Sequence, residues 1–390
     1  MSRGILLESF ESCVVIDNYL WFVTVRNNWL CKMNASDYRA ELICEIPYAD
    51  SECYAYKIAG AYDHYLLLMP EYANYLLEYD INSKKFQKYK LYNSEISGNA
   101  EGGASIKYRS SVCEGESIWL MPQSCHCILE YNYKRREVYE YTQWYKDFEK
   151  YGWSNENLFG LGVKAEKALW IPCYQLNAVL EFSLETKKSK LHFVGSQKNR
   201  FGAIAYCNNA FWLMDNVNQE IVKWNPLDGE EKCFHNFPKD YGLDKRFSCD
   251  DKNMQYSAIC MLGIKNSILV LPCTSNQFMK FDTETGIMEK IIMKPSGGSY
   301  LFACELKNGK ILCANQSGNQ LAVYSIEENK MNIVPFYLEV DFEHLPASKI
   351  YDDAECVIED YVRNIVNKHD RIEVMSHGKI GNKIYQTVND

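Results

Sequence analysis

Cys125-His126-Cys127 groups two thiols with an imidazole, the donor types that bind zinc. On an extended backbone alternate side chains face opposite ways, so Cys125 and Cys127 share a face and His126 points away. The three would not converge on one ion, and no second Cys/His pair follows at zinc spacing. Asp250-Asp251 could hold a divalent cation only with ligands from elsewhere in the fold; a solvated acidic loop explains the pair more simply. Gly160-Leu161-Gly162 lacks the third glycine and the strand-to-helix setting of a dinucleotide site. The histidines, His64, His126, His192, His235, His344, His369 and His377, form no H-E-x-x-H pair. There is no G-x-S-x-G elbow and no P-loop. These residues therefore point to no catalytic group, no metal set and no cofactor.

Binding chemistry is better represented. Three stretches, about 92–106, 141–158 and 236–256, are longer than ordinary connections, and such loops in compact domains are often functional. The second carries Trp144, Tyr145, Trp153 and Asn155, and the third carries Asp240, Tyr241, Arg246 and Tyr256. Two shorter stretches bring Asn199-Arg200 and Ser299-Tyr300. Aromatic and Arg side chains dominate binding hot spots. The candidate ligand-binding set is therefore His126, Trp144, Tyr145, Trp153, Asn199, Arg200, Arg246, Tyr256 and Tyr300.

The elements that must position these residues recur along the chain. In one copy the pattern is Tyr65-Leu66-Leu67-Leu68-Met69-Pro70, a short gap, then Asn74-Tyr75-Leu76-Leu77-Glu78-Tyr79-Asp80. Seven copies align on a large apolar residue: Trp21, Leu67, Trp119, Trp170, Trp212, Leu269 and Leu312. Seven positions on stand Asn28, Asn74, His126, Asn177, Gln219, Asn276 and Asn319, polar residues suited to a turn. Twelve positions on stand Met33, Tyr79, Tyr131, Phe182, Trp224, Phe281 and Tyr324. The first and last apolar residues enclose six periods of about 48 residues. Each copy holds an apolar run, a turn, an alternating strand, a second turn and a further strand, with a short strand ahead of the run.

A lone four-stranded meander cannot bury both its faces, whereas stacking such units around an axis buries them and closes a ring. The fold class expected is all-β: a seven-bladed β-propeller over residues 1–340, with a C-terminal helical tail over 341–390. Cys13, Cys113, Cys207, Cys260 and Cys304 fall in the innermost strands, where Gly60-Ala61 and Gly162-Val163 occupy the matching places. Crowding near an axis favours small residues, and free Cys packs as a small hydrophobe. The repeats resemble the β-propeller superfamily: Tyr79-Asp80, Phe281-Asp282 and Trp224-Asn225 look like the strand ends of WD40-type and YVTN-type repeats. No Gly-His dipeptide opens each repeat, and the glycine pairs of Kelch repeats occur only at Gly102-Gly103 and Gly297-Gly298. The resemblance implies one ligand-binding face. It also admits an enzyme, as in the streptogramin-type lyases, whose sites assemble from residues on different blades.

The chain has 390 residues, 42 basic against 51 acidic, for a net charge of −9. That balance argues against nucleic acid as a partner, which needs a basic footprint. The start of the chain shows no apolar signal segment and no stretch is long and apolar enough to span a bilayer, so a cytoplasmic protein with reduced cysteines is expected. In the tail, Ala354, Val357, Ile358, Tyr361, Val362, Ile365 and Val366 follow helical spacing. The function expected is a non-catalytic binding or scaffold propeller engaging a protein partner or a polar small molecule on one face. The alternatives are a lyase or transferase with a cation-assisted site on that face, or a carbohydrate binder.

Overall fold

The computed structural model describes residues 3–6, 9–25, 27–49, 55–92, 106–151, 158–242, 258–291, 299–306, 308–315 and 320–341. The chain divides into two units, Glu8–Leu338, and Met1–Leu7 with Glu339–Asp390. The second unit contains the strand Arg3–Leu6. The first carries seven four-stranded antiparallel meanders, the blades, at 13–45, 56–90, 108–141, 163–193, 201–234, 260–291 and 300–335. This is the seven-bladed β-propeller that the repeats predict. The helix expected in the tail lies outside the described residues. Among the described residues no helix is long and apolar enough to cross a membrane.

The apolar repeat positions explain why the blades stack. The second strand of each blade carries the large apolar residue of the repeat, and in blades 1–6 it lies in the core shared with the following blade. Trp21 lies between blades 1 and 2, Leu67 between 2 and 3, and Trp119 between 3 and 4. Trp170, Trp212 and Leu269 continue the series. The aromatic twelve positions on faces the other way, toward the preceding blade. Side chains from successive repeats therefore meet: Trp119 with Phe182 at 6.1 Å, Trp170 with Trp224 at 5.8 Å and Trp212 with Phe281 at 5.1 Å between ring centroids. Tilted and edge-on pairs of this kind add to the burial of the rings themselves. The core is thus a set of inter-blade layers rather than one central mass.

All five predicted cysteines lie in innermost strands. Cys207 and Cys260 are buried, Cys13 and Cys304 are half-buried, and Cys113 is exposed, because these strands border the axis rather than a closed core. Crowding is nonetheless real. A Cβ on Gly60 would come 2.9 Å from Cys113 Sγ, and one on Gly162 would come 2.5 Å from Met121 Sδ.

Candidate functional site at the axial mouth

The ends of the inner strands are held in register by backbone hydrogen bonds. In blades 1–5, four positions after the large apolar residue, the N–H donates to the carbonyl of a residue ahead of the inner strand of the same blade. The donors are Val25, Glu71, Gln123, Tyr174 and Asn216, and the acceptors are Ser9, Ala55, Lys107, Leu158 and Arg200. Links to the next blade alternate with these: Lys107 N donates to Glu71 O at 2.9 Å, and Leu158 N to Gln123 O at 2.8 Å. This belt fixes two tiers of side chains at one end of the axis.

The upper tier is the set just named, continued by Cys273 in blade 6. The lower tier stands ten positions ahead of the apolar residue: Glu11, Lys57, Arg109, Gly160, Gly202, Ile259 and Phe302. Charge is confined to blades 1–3. Lys57 Nζ lies 2.5 Å from Glu11 Oε2 and 2.6 Å from Glu71 Oε1, and all three side chains are buried. Burial pushes the Glu71 carboxyl up from 4.5 to about 7, against the attraction of Lys57. Across the axis, Tyr174, Ile259 and Leu301 form an apolar cluster with Cys273.

Arg109 is the extra residue of a β-bulge: Tyr108 pairs with Pro122 and Ser110 with Met121, leaving Arg109 opposite nothing. A bulge re-aims its side chain out of the regular ladder. Nη1 of Arg109 donates to Gln123 Oε1 at 3.1 Å. Its electrostatic neighbours are Glu11, Tyr174, Glu71 and Cys273, from blades 1, 4, 2 and 6; burial opposes its charge, but these neighbours together outweigh it and raise its pKa above the ordinary guanidinium value. A side chain that senses four blades at once stands near the axis.

Of the candidates from the sequence, the structure brings His126 and Tyr145 together, stacked with centroids 3.4 Å apart. Cys125 and Cys127 are buried beside His126; burial pushes the Cys125 thiol up to about 12, so it stays protonated. Three candidates do not face outward. Trp144 is buried against Phe148 and Phe159, its indole N–H given to Tyr141 O at 2.9 Å. Asn199 is buried and fastened to Asp215, Glu220 and the Ser196 backbone. Tyr300 is buried against Phe278. Each fills space under the connection that carries it, so its side chain is consumed by packing. Arg200 caps carbonyls of its own loop, Gln197 O and Asn199 O, both at 2.7 Å. Trp153, Arg246, Tyr256 and the Asp250-Asp251 pair lie outside the described residues. The amides seven positions on act as ties: Ala55 N donates to Asn28 Oδ1 at 2.7 Å, and Asn276 Nδ2 donates to Asp240 O at 3.0 Å.

Exposed aromatics do gather at the same end. Tyr48, Tyr92 and Phe193 lie at or just beyond the ends of the outer strands of blades 1, 2 and 4, and Tyr151, in the connection after blade 3, meets Phe193 edge-on at 5.5 Å. Tyr19, also exposed, lies at the opposite end.

No protein-family model matches the chain, and no curated protein matches it. Solved structures resemble it in fold. A streptogramin B lyase superposes with a TM-score of 0.59 at 15% identity, over 85% of this chain and 98% of that one. A catalytically inactive His-to-Ala variant of virginiamycin B lyase from Staphylococcus aureus, with quinupristin, gives 0.56 at 15% identity, over 81% and 96%. YCF48 bound to D1 peptide gives 0.54 at 10% identity, over 83% and 93%. Fold and repeats together define the chain as a seven-bladed β-propeller.

Proposed function

We propose that this protein is a non-catalytic binding propeller of the cytosol, which engages a polar small molecule or a protein partner on the face that holds the axial mouth. The observation that carries this reading is the chemistry of the charged arc. Its acids are matched by cations, Glu11 and Glu71 by Lys57, with Arg109 beside them. A general acid–base pair needs two groups free to exchange protons with a substrate; here Glu11 is held on Lys57, which leaves Glu71, pushed up to about 7, as a single such group. The similar virginiamycin B lyase variant is inactive through loss of a histidine. The described histidines of this chain lie elsewhere: His64 beside Asp80, His192 on Glu181, His235 on Glu220 and His126 on Tyr145. The aromatic rim of Tyr48, Tyr92, Tyr151 and Phe193 supplies the broad contact surface a binding face needs.

Incubating the purified chain with quinupristin and with any ligand found by thermal-shift screening tests this. The expected result is saturable binding with the ligand recovered unchanged. Conversion to product at multiple turnovers, lost in Glu71→Gln, overturns the reading in favour of an enzyme.

A further inference from the structure

We propose that the axial mouth holds a small amphiphilic anion, with its carboxylate or phosphate group on the Arg109 guanidinium and its apolar body against the arc of Tyr174, Ile259, Leu301 and Cys273. This deepens the binding reading above and rests on it.

Donor capacity is the first argument. A guanidinium has five N–H donors in a fixed plane. Among the described residues Arg109 makes one hydrogen bond, to Gln123 Oε1, and no carboxylate lies within ion-pair distance of it. Lys57, by contrast, is claimed on both sides by Glu11 and Glu71. Arg109 is therefore the cation of the quartet with donors to spare, and its planar fork matches a carboxylate or phosphate with two parallel bonds.

Placement is the second argument. Bulges in the inner strands of blades 2, 5 and 7 fall at Ile58/Gly60, Phe201/Ala203 and Tyr300/Ala303. They carry Ala59, Gly202, Leu301 and Phe302, and only blade 3 puts a charged side chain at this bulge. Gln123 steadies it from the same blade. The lower tier then splits into a charged arc on blades 1–3 and glycines or apolar residues on blades 4–7. A mouth polar on one side and apolar on the other fits a ligand divided in the same way, because each half avoids the cost of meeting the wrong surface.

Protonation supports the same assignment. The groups facing the Glu71 carboxyl are Lys57, Glu11 and Arg109. With Glu71 ionised the quartet is neutral; with Glu71 protonated it carries one net positive charge. An anion arriving at Arg109 favours the protonated form, so binding tightens as pH falls through about 7.

Titration calorimetry on the full chain with phenylphosphate, benzoate, inorganic phosphate, acetate and benzamide tests the proposal. Benzoate or phenylphosphate should bind saturably, and which is tighter identifies the oxyanion. Acetate and inorganic phosphate should bind about tenfold more weakly, and benzamide should not bind. Arg109→Gln should lose at least about tenfold, with Arg109→Lys between it and the wild type. Tyr174→Ala should weaken benzoate and leave acetate unchanged. Near-UV circular dichroism checks that each variant is folded. Equal affinity in wild type and Arg109→Gln overturns the proposal while leaving the binding reading intact. The same holds if no probe binds the wild type at millimolar concentration. A probe converted to product overturns the binding reading itself.

Discussion

Glu71 has its side chain fully buried with Lys57 as its near cation, and desolvation pushes its pKa from 4.5 to about 7. A folded-state value above the unfolded one means that the native chain holds this proton the more tightly. The stabilisation is fully present below the unfolded value of about 4.5 and is lost as pH rises through about 7. Glutamine has the same shape and no charge. Replacing Glu71 by Gln should therefore flatten the fall in stability across this window. The gap between wild type and variant should change by about 3 kcal/mol, at 1.36 kcal/mol per pKa unit. Parallel profiles, measured by denaturant titration between pH 4 and pH 8, would show that the carboxylate is solvated. Lys57 tests the same cluster from the other side. Lys57→Met removes the cation shared by Glu11 and Glu71, and an uncompensated buried charge costs about 3–5 kcal/mol. A loss under 1 kcal/mol in the same titration would mean that water reaches the pair.

At the scale of the strand, the large apolar residue and the aromatic twelve positions on act on opposite sides of one blade. Trp212 shares its layer with Phe281 of the next blade and with Phe234 of its own. Trp212→Ala should cost about 3–5 kcal/mol, the range for deleting a buried large aromatic; a loss near that of an exposed Tyr would break the layer model. The approach of inner strands makes a separate prediction. A Cβ on Gly160 would lie 2.3 Å from Gly202 O, a backbone atom that cannot swing aside. On Gly202 the clash would be with Asn216 Nδ2, the tip of a side chain. Gly160→Ala should therefore lower the melting temperature more than Gly202→Ala, and the reverse order would place the two inner strands differently. These strand-level features were legible in the sequence because apolar alternation and its period survive without knowledge of neighbours. The candidate site was less so. Trp144, Asn199 and Tyr300 sit in connections, where no alternation tells an outward side chain from one that fills the core. Glu11, Lys57 and Arg109 were visible as a column ten positions ahead of the repeat residue, yet they share neither type nor motif, and their convergence is made by the ring.

A closed ring must join its first and last blades, and two thiols mark that seam. Cys13 in the inner strand of blade 1 and Cys304 in that of blade 7 stand 3.3 Å apart, Sγ to Sγ, across 291 positions of sequence. The contact with Cys304 and burial together raise the Cys13 pKa, so at neutral pH Cys13 rests as a thiol. Treatment with oxidised glutathione at alkaline pH should join them: the two thiols lose two protons and two electrons, and one glutathione disulfide is reduced to two thiols. Such a bond would enclose nearly the whole propeller and restrict the unfolded chain, and the chain-entropy relation puts the gain at about 6 kcal/mol. Cys125 and Cys260 are buried whereas Cys13 and Cys304 are half-buried, so the reagent should reach the seam pair sooner. The measurement is the melting temperature before and after oxidation, with peptide mapping of the linkage. A rise that is absent in Cys13→Ser and Cys304→Ser establishes that blades 1 and 7 are neighbours in solution. Oxidation with no 13–304 linkage would place the seam of the ring elsewhere.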